Sequence, residues 1–142
     1  MKYYVVIDTN VLVSAVLKSH SVPGSIVGLA FDGPIIPILN EAIEKEYREV
    51  LSRPKFHLPE DLIEGIMSTF HKRAIYVDAE HLDVELPDPK DLVFYEVVME
   101  ERKEEEAYLV TGNIRHFPNR PFIVTPREML DIILRDQDFR DE

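Results

Sequence analysis

The chain has 142 residues, of which 45% are hydrophobic and 30% are charged, so it can bury the core of one domain and is not intrinsically disordered. It contains no cysteine, which excludes disulfides, thiolate metal ligands and cysteine nucleophiles. The net charge of −11 argues against a protein that coats nucleic acid, which would be basic, but not against a substrate whose phosphates meet cations in an acidic pocket.

No segment approaches the roughly 20 apolar residues of a membrane-spanning helix. The N-terminal apolar run is interrupted at Asp8, and it therefore does not resemble a signal peptide. We expect a cytoplasmic protein without a membrane partner.

The first predicted strand covers residues 3–7, an apolar run rich in β-branched side chains, as is typical of a strand buried on both faces. Asp8 ends this run. Apolar residues then recur at the spacing of a helix, at Val11, Leu12, Ala15 and Val16. A carboxylate between a strand and a helix lies at the carboxyl edge of the sheet, where open α/β sheets bind ligands.

The next part of the chain is predicted to contain a loop, a helix, a strand and a second helix. Residues 19–24 are polar and include a Pro-Gly pair, which indicates a loop before a short helix at 25–31. The strand predicted at 34–39 contains two prolines, which favour a strand end or a sheet edge over the centre of a sheet. Asn40 is a suitable N-cap for a helix at 41–52.

A further helix is predicted at residues 59–72, followed by a strand at 74–77 and an acidic loop at 78–85. The buried face of this helix is predicted to consist of five apolar residues: Leu62, Ile63, Ile66, Met67 and Phe70.

The segment after the acidic loop has the pattern of a helix entrance. Asp88 can be the N-cap, with Pro89 at the first position and Asp91 at the third. The helix that follows is apolar around most of its circumference, and it is therefore predicted to be largely buried.

The last third of the chain contains two predicted strands, at residues 107–110 and 122–124, and a final helix opened by a capping box from Thr125 to Glu128. Strands that alternate with helices predict an α/β fold with a parallel sheet. We therefore predict one domain over residues 1–135 and an acidic tail over 136–142.

Three carboxylates, on Asp8, Glu46 and Asp91, occupy positions that the helix and strand pattern does not explain. Glu46 lies within an apolar helical stripe, and burial of an unpaired carboxylate is costly. Asn113 ends a strand as Asp8 does. Because Mg²⁺ and Mn²⁺ prefer oxygen ligands, these four side chains together predict a divalent cation site.

Each acidic residue also has a structural alternative. Asp8 can cap the helix that follows it, and Asp91 can interact with a helix dipole. Glu46 can pair with an arginine such as Arg73 or Arg115.

Four sequence blocks carry a family resemblance. They are VIDTNVLVSA at 6–15, EYREVLSRPKF at 46–56, DPKD at 88–91 and YLVTGNIRHFP at 108–118. In this order the blocks resemble the PIN-domain nucleases, specifically the VapC-like toxin components of toxin–antitoxin pairs.

The resemblance implies a PIN-like three-layer α/β/α fold with a five-stranded parallel sheet of order 3-2-1-4-5, which sets Asp8 beside Asn113. It also implies a metal-dependent endoribonuclease, a hydrolase that cleaves RNA phosphodiesters with a water activated by Mg²⁺ or Mn²⁺. Asp8, Glu46 and Asp91 would then be the metal ligands, and these three with Asn113 the catalytic residues.

Further residues match positions that orient ligands or substrate in the family: Thr9, Asn10, Ser14, Thr111 and Arg115. Many PIN domains carry an aspartate at the position of Asn113, and an uncharged amide weakens a second metal site. The resemblance further implies a cognate antitoxin, which would block the acidic pocket, and a homodimer.

Other interpretations remain open at this point. A degenerate PIN domain can bind RNA or protein without cleaving it. A phosphatase with Asp8 as the nucleophile usually has a second aspartate at the position of Asn10, and a phosphotransfer receiver would need an acidic pair after the first strand. His116 is interpreted as a surface-loop residue. The basic clusters at 71–73 and 102–103 either guide RNA or are solvated helix ends.

Overall fold

The computed structural model describes the backbone of residues 1–141 and the side chains of residues 1–137, and within them five strands form one parallel sheet. The strands are β1 (Tyr3–Ile7), β2 (Ile35–Leu39), β3 (Ile75–Tyr76), β4 (Ala107–Val110) and β5 (Ile123–Val124). Their order is β3-β2-β1-β4-β5 with every pair parallel, which confirms the predicted topology.

Six α-helices flank the sheet within the same residues: α1 (Thr9–Leu17), α2 (Val22–Asp32), α3 (Glu41–Leu51), α4 (Glu60–Arg73), α5 (Leu92–Glu101) and α6 (Pro126–Asp141). Short 3₁₀ turns cover Pro54–Phe56, Pro89–Asp91 and Ile114–His116. No single helix of the described chain is long and apolar enough to cross a membrane, and α1 and α2 meet that criterion only as a pair bent by 100°.

The central strand β1 is also the centre of the core. Val5, Val6 and Ile7 are consecutive and at most 1% exposed. Because successive side chains of a strand point to opposite faces, this burial means that both faces of the sheet are covered. The prediction of a strand buried on both faces is confirmed.

The predicted helix caps are present. The Asn40 side chain accepts a hydrogen bond from the Ile43 amide at 2.8 Å. At the start of α6, the Thr125 amide donates to the Glu128 carboxylate at 3.0 Å, and the Glu128 amide donates to the Thr125 hydroxyl at 3.1 Å. These bonds satisfy amides that the first turn of a helix leaves without partners.

The predicted loop at 19–24 was wrong at its end, because α2 already begins at Val22. The Ser21 hydroxyl accepts a hydrogen bond from the Gly24 amide at 3.1 Å and caps the helix. Pro23 lies in the first turn of α2, where backbone amides make no hydrogen bond within the helix and the amide hydrogen that proline lacks is not missed. The Pro-Gly pair therefore marks a helix start.

The two prolines were predicted to lie at a strand end or a sheet edge. Pro34 does lie at a strand end, immediately before β2, but the edge alternative is wrong, since β2 pairs with both β1 and β3. β3 pairs only with Ile38 and Leu39. Pro37 therefore has no β3 residue opposite it that would accept a hydrogen bond from a backbone amide. The amide hydrogen that proline lacks is not needed there, and proline is tolerated inside the sheet.

One member of the predicted buried face of α4 is also misplaced. Leu62 is 44% exposed, whereas Ile63, Ile66, Met67 and Phe70 are buried. The apolar stripe of this helix is thus wider than the face that its neighbours cover.

The backbone of α6 continues through Asp141, into the segment predicted as an acidic tail. The side chains of residues 138–142 lie outside the described residues. The predicted domain boundary at residue 135 therefore stays a prediction.

Candidate active site

Asp8 and Thr111 follow two neighbouring strands at the same edge of the sheet. β1 and β4 pair up to Ile7 and Val110, and the Asp8 amide continues the ladder with a 2.9 Å hydrogen bond to the Val110 carbonyl. This register sets the two side chains together, and the Thr111 hydroxyl donates to Asp8 Oδ2 at 2.7 Å. Both residues are buried. Asp8 thus has a fixed orientation at the carboxyl edge of the central strand.

Helix α3 brings Glu46 to the same edge. The Thr9 hydroxyl donates to Glu46 Oε2. Thr9 is therefore the hydrogen-bond partner of this acidic residue within an apolar stripe. The alternative pairing with Arg73 does not occur, because that guanidinium donates to the carbonyl oxygens of Ala30, Gly33 and Ile35.

Tyr47 fastens α3 to β1, a role that the sequence analysis missed. Its side chain is fully buried, and its hydroxyl donates to the carbonyl of Ile7, immediately before Asp8. A buried tyrosine hydroxyl usually needs a hydrogen-bond partner. The position of Tyr47 in the apolar stripe, next to Glu46, was the sequence signal for this role. This contact sets the distance between α3 and the end of β1.

Asp91 reaches the site from the turn that precedes α5. The Asp88 side chain caps this turn by accepting from the Lys90 amide at 3.0 Å, as predicted. Asp91 Oδ2 lies 3.1 Å from Nδ1 of His116, which belongs to the 3₁₀ turn after β4. His116, interpreted from the sequence as a surface-loop residue, therefore contacts a predicted catalytic carboxylate. Its position three residues after Asn113 was the only sequence signal.

The three carboxylates share one hydrogen-bonding arrangement. One oxygen of each accepts from a side chain: Thr111 and, at 3.4 Å, Asn10 for Asp8, Thr9 for Glu46 and His116 for Asp91. No other side chain among residues 1–137 donates to the second oxygen of any of the three. Each carboxylate is thus held in place by a neighbouring side chain, and Asp8 receives a backbone hydrogen bond from Thr9 as well.

Burial has the largest influence on the pKa values of the site, and repulsion between like charges adds to it. Burial raises the pKa of Asp8 from 3.8 to about 6; the Thr111 hydrogen bond opposes this rise, and the charges of Asp91 and Glu46 reinforce it. Burial also raises the pKa of Asp91, opposed by the hydrogen bond from His116. Burial, reinforced by Asp8 and Glu46, raises the pKa of Tyr47 well above its usual range. These groups therefore act on one another, and a cation among them would relieve the repulsion.

The predicted orienting residues fall into two groups. Asn10 connects the start of α1 to the loop after β4: its Oδ1 accepts from the Gly112 amide at 3.3 Å, and its Nδ2 lies 3.4 Å from Asp8 Oδ2. Thr9 and Thr111 contact the carboxylates directly.

Ser14, Asn113 and Arg115 have exposed side chains that make no hydrogen bond to other described residues. Asn113 contacts the site through its backbone, because its main-chain amide donates a hydrogen bond to the Thr111 hydroxyl at 2.9 Å. Thr111, rather than Asn113, is thus the direct neighbour of Asp8.

The chemistry of the donor set fits a hard divalent cation, since the available ligands are carboxylate oxygens. Among the described residues no three acidic or histidine side chains stand close enough together to hold one metal ion. Mg²⁺ is commonly bound by one or two carboxylates, with water and substrate phosphate as its other ligands. The residues present can therefore hold such an ion without a cage of three protein ligands.

Residues 4–115 match the model of the PIN domain family. The chain belongs to the PIN domain family. The match includes Asp8, Glu46, Asp91 and Asn113 and ends one residue before His116. The PIN domain assignment and the observed sheet order agree on a nuclease-type α/β/α fold.

An uncharacterized protein of Methanocaldococcus jannaschii is 28% identical to this PIN domain over 116 residues. The aligned region covers 80% of this chain and 72% of the archaeal protein.

Proposed function

We propose that this PIN domain is a metal-dependent endoribonuclease that hydrolyses RNA phosphodiester bonds. The observation that carries the proposal is the arrangement of Asp8, Glu46 and Asp91. Each carboxylate has one oxygen fixed by a neighbouring side chain and a second oxygen to which no side chain of residues 1–137 donates.

Asp8, Glu46 and Asp91 would supply the carboxylate ligands for Mg²⁺ or Mn²⁺, with one or two of them on a given ion. The ion, when bound, would activate water as the nucleophile and polarise the phosphodiester. The side chains of Thr9 and Thr111 fix the orientation of two of these carboxylates. Such preorganisation matters because ligands that are already in position need not reorganise during the reaction.

Asp8 is the residue whose replacement tests the proposal most directly. Asp8→Asn keeps the shape of the side chain and an oxygen that can accept from Thr111, but it removes the negative charge. We expect the variant to fold and to lose cleavage of single-stranded and structured RNA in Mg²⁺ or Mn²⁺, measured by gel electrophoresis.

The matched control is Asp83→Asn, in the exposed loop between β3 and α5, which should cleave as the wild type does. Equal cleavage by the wild type and Asp8→Asn would contradict the proposal. EDTA should abolish the activity of the wild type and of the control.

We propose further that the protein is a VapC-like toxin component, inhibited by an antitoxin that blocks this acidic pocket, and that it acts as a homodimer. Expression of the wild type should then arrest growth, and expression of Asp8→Asn should not. Growth arrest by both proteins would point to a cause other than RNA cleavage.

The second candidate is a PIN domain that binds RNA or protein without cleaving it. It is favoured by the lack of a three-ligand acidic group among the described residues and by the uncharged Asn113. Mn²⁺ titration followed by electron paramagnetic resonance distinguishes the candidates. The nuclease should bind Mn²⁺ at a site that Glu46→Ala removes, whereas the non-catalytic domain should bind none.

A further inference from the structure

A cavity of about 370 Å³ lies beside the carboxylates, at the ends of β4 and β5. It is lined by residues 112–116 and by Thr125. His116 both lines this cavity and contacts Asp91, so the cavity and the proposed catalytic site share a wall. The volume is within the range of roughly 300–1,000 Å³ that is usual for small-molecule sites.

The cavity differs in charge from the site next to it. Its lining residues include no acidic side chain, and they offer the Arg115 guanidinium, the Asn113 amide and the Thr125 hydroxyl. Arg115 and Asn113 are exposed and make no side-chain hydrogen bond to other described residues. A phosphate that the carboxylates repel therefore finds free donors here.

Three of the residues in the basic clusters considered as RNA guides make contacts elsewhere. Arg73 donates to three backbone carbonyls. Arg102 donates to the Ala107 carbonyl at 2.6 Å and lies 4.1 Å above the Phe122 ring. Lys103 pairs with two glutamates. Arg115 is thus better placed to meet the substrate than any of these three.

The contact with Asp91 fixes the roles of the two nitrogens of His116. An ionised carboxylate only accepts hydrogen bonds, so Nδ1 carries a proton. Nε2, at the other side of the ring, makes no hydrogen bond to the described residues. In a neutral ring Nε2 accepts a hydrogen bond, and in a charged ring it donates one. A hydroxyl group satisfies it in both cases.

The backbone holds this ring in place. The His116 amide donates to the Asn113 carbonyl at 2.9 Å, and the next residue, Phe117, is buried in the core. The imidazole is therefore presented to the cavity from a fixed turn.

We propose that this cavity is the subsite for the ribonucleotide next to the scissile phosphate. Arg115 binds its phosphate, and Nε2 of His116 binds the ribose 2′-hydroxyl. The inference rests on the proposed RNA hydrolysis, and it makes His116 the residue that distinguishes RNA from DNA, since the 2′-hydroxyl is the group in which they differ at a given site.

Binding without catalysis tests the subsite. Fluorescence anisotropy in EDTA compares a short single-stranded RNA with the 2′-deoxy oligonucleotide of the same base sequence. The wild type should bind the RNA roughly 3- to 10-fold more tightly, the range of one net hydrogen bond, and His116→Ala should bind both equally. The ratio is the readout, because partial unfolding would weaken both affinities together. His20→Ala, at an exposed position in the loop between α1 and α2, is the control that should keep the preference.

Arg115→Gln should have a different signature. It should weaken binding of RNA and DNA by the same factor and lower the slope of log affinity against log salt by about 1, since one phosphate contact is lost. A change in the RNA-to-DNA ratio in this variant would contradict the assigned roles.

Cleavage separates this inference from the proposed function. A single 2′-deoxy substitution beside the mapped cleavage site should lower kcat/KM of the wild type but not that of His116→Ala. Suppose that the wild type cleaves RNA. If it then binds RNA and DNA equally, or if His116→Ala keeps the preference for RNA, the subsite is overturned and the nuclease proposal stands. A preference that His116→Ala removes, in a protein without cleavage, overturns the nuclease and keeps the subsite.

Discussion

Two acidic regions of this PIN domain place carboxylates in opposite electrostatic surroundings. In the candidate site, the charges of Glu46 and Asp91 act on Asp8, and uncharged hydroxyls fix Asp8 and Glu46. Burial and like charges raise the pKa of Asp8, so its ionised form is disfavoured in the folded protein.

On the outer side of α5, two glutamates are matched by donors. The Glu96 carboxylate accepts from the Leu82 amide at 2.7 Å, and the Glu100 carboxylate accepts from the Glu80 amide at 3.1 Å. The pKa of Glu100 is lowered by this amide and by the hydrogen bond from Lys103. These carboxylates hold residues 77–88, which have no regular structure of their own before the turn at Pro89, against the helix.

The comparison shows that the carboxylates behind the net charge of −11 have two different effects on the stability of the fold. The outer carboxylates favour the folded state because each gains a donor. The charged forms of Asp8 and Asp91 oppose folding because burial raises the pKa of both, and the chain retains them in a fixed geometry, as is common where perturbed groups serve a function. Substitutions in the two regions should therefore change stability in different directions.

The largest effect is expected for Asp8→Asn. A carboxyl group with a raised pKa binds its proton more tightly in the folded state, so stability falls as pH rises from about 4 to about 6 and stays low above that. Removal of the charge should raise the free energy of unfolding by up to about 3 kcal/mol at pH 7 and by little at pH 4. Urea denaturation without divalent ions measures this difference, and a variant less stable than the wild type at pH 7 would contradict it.

Thr111→Val should have the next largest effect, with the opposite sign. It removes the hydroxyl that stabilises charged Asp8, so the pKa of Asp8 should rise further and stability at pH 7 should fall by about 2 kcal/mol. Carboxyl ¹³C NMR reports the pKa, and urea denaturation reports the stability. Thr69→Val, which loses a bond from a half-buried hydroxyl to the Gly65 carbonyl on α4, is the control and should leave Asp8 unchanged.

Tyr47→Phe should cost about 1 kcal/mol, because the Ile7 carbonyl loses its hydrogen bond from the tyrosine hydroxyl. It should also lower RNA cleavage, since α3 carries Glu46. Tyr4→Phe, on β1 and half-buried, is the matched control. If both variants cleave RNA at the wild-type rate, Tyr47 does not position the site.

The smallest effect is expected for Lys103→Met on the outer surface. Its pairs with Glu80 and Glu100 are exposed, and exposed ion pairs contribute little once salt screens them. The urea midpoint in 0.5 M salt should equal that of the wild type. A clear loss would mean that the outer acidic region depends on this lysine rather than on the backbone amides.

The sequence predicted the helices and strands well where local chemistry decides them. The apolar run of β1, the Asn40 cap and the capping box at Thr125 depend on residues close together in the chain. The wrong predictions were the start of α2 at Val22, the position of β2 in the sheet and the burial of Leu62. They concern how far an element extends or what lies beside it. Those questions depend on neighbours that local patterns do not reveal.

The sequence by itself determined the α/β order of the elements and the positions of Asp8 after β1, Glu46 within α3 and Asp91 before α5. Only the tertiary structure decided which groups hold these carboxylates. Thr111 lies 103 residues from Asp8, Thr9 lies 37 residues from Glu46, and His116 lies 25 residues from Asp91. The physical reason is the parallel sheet, whose register brings distant strand ends to one edge and so places hydroxyls and an imidazole beside acids that no local pattern connects to them.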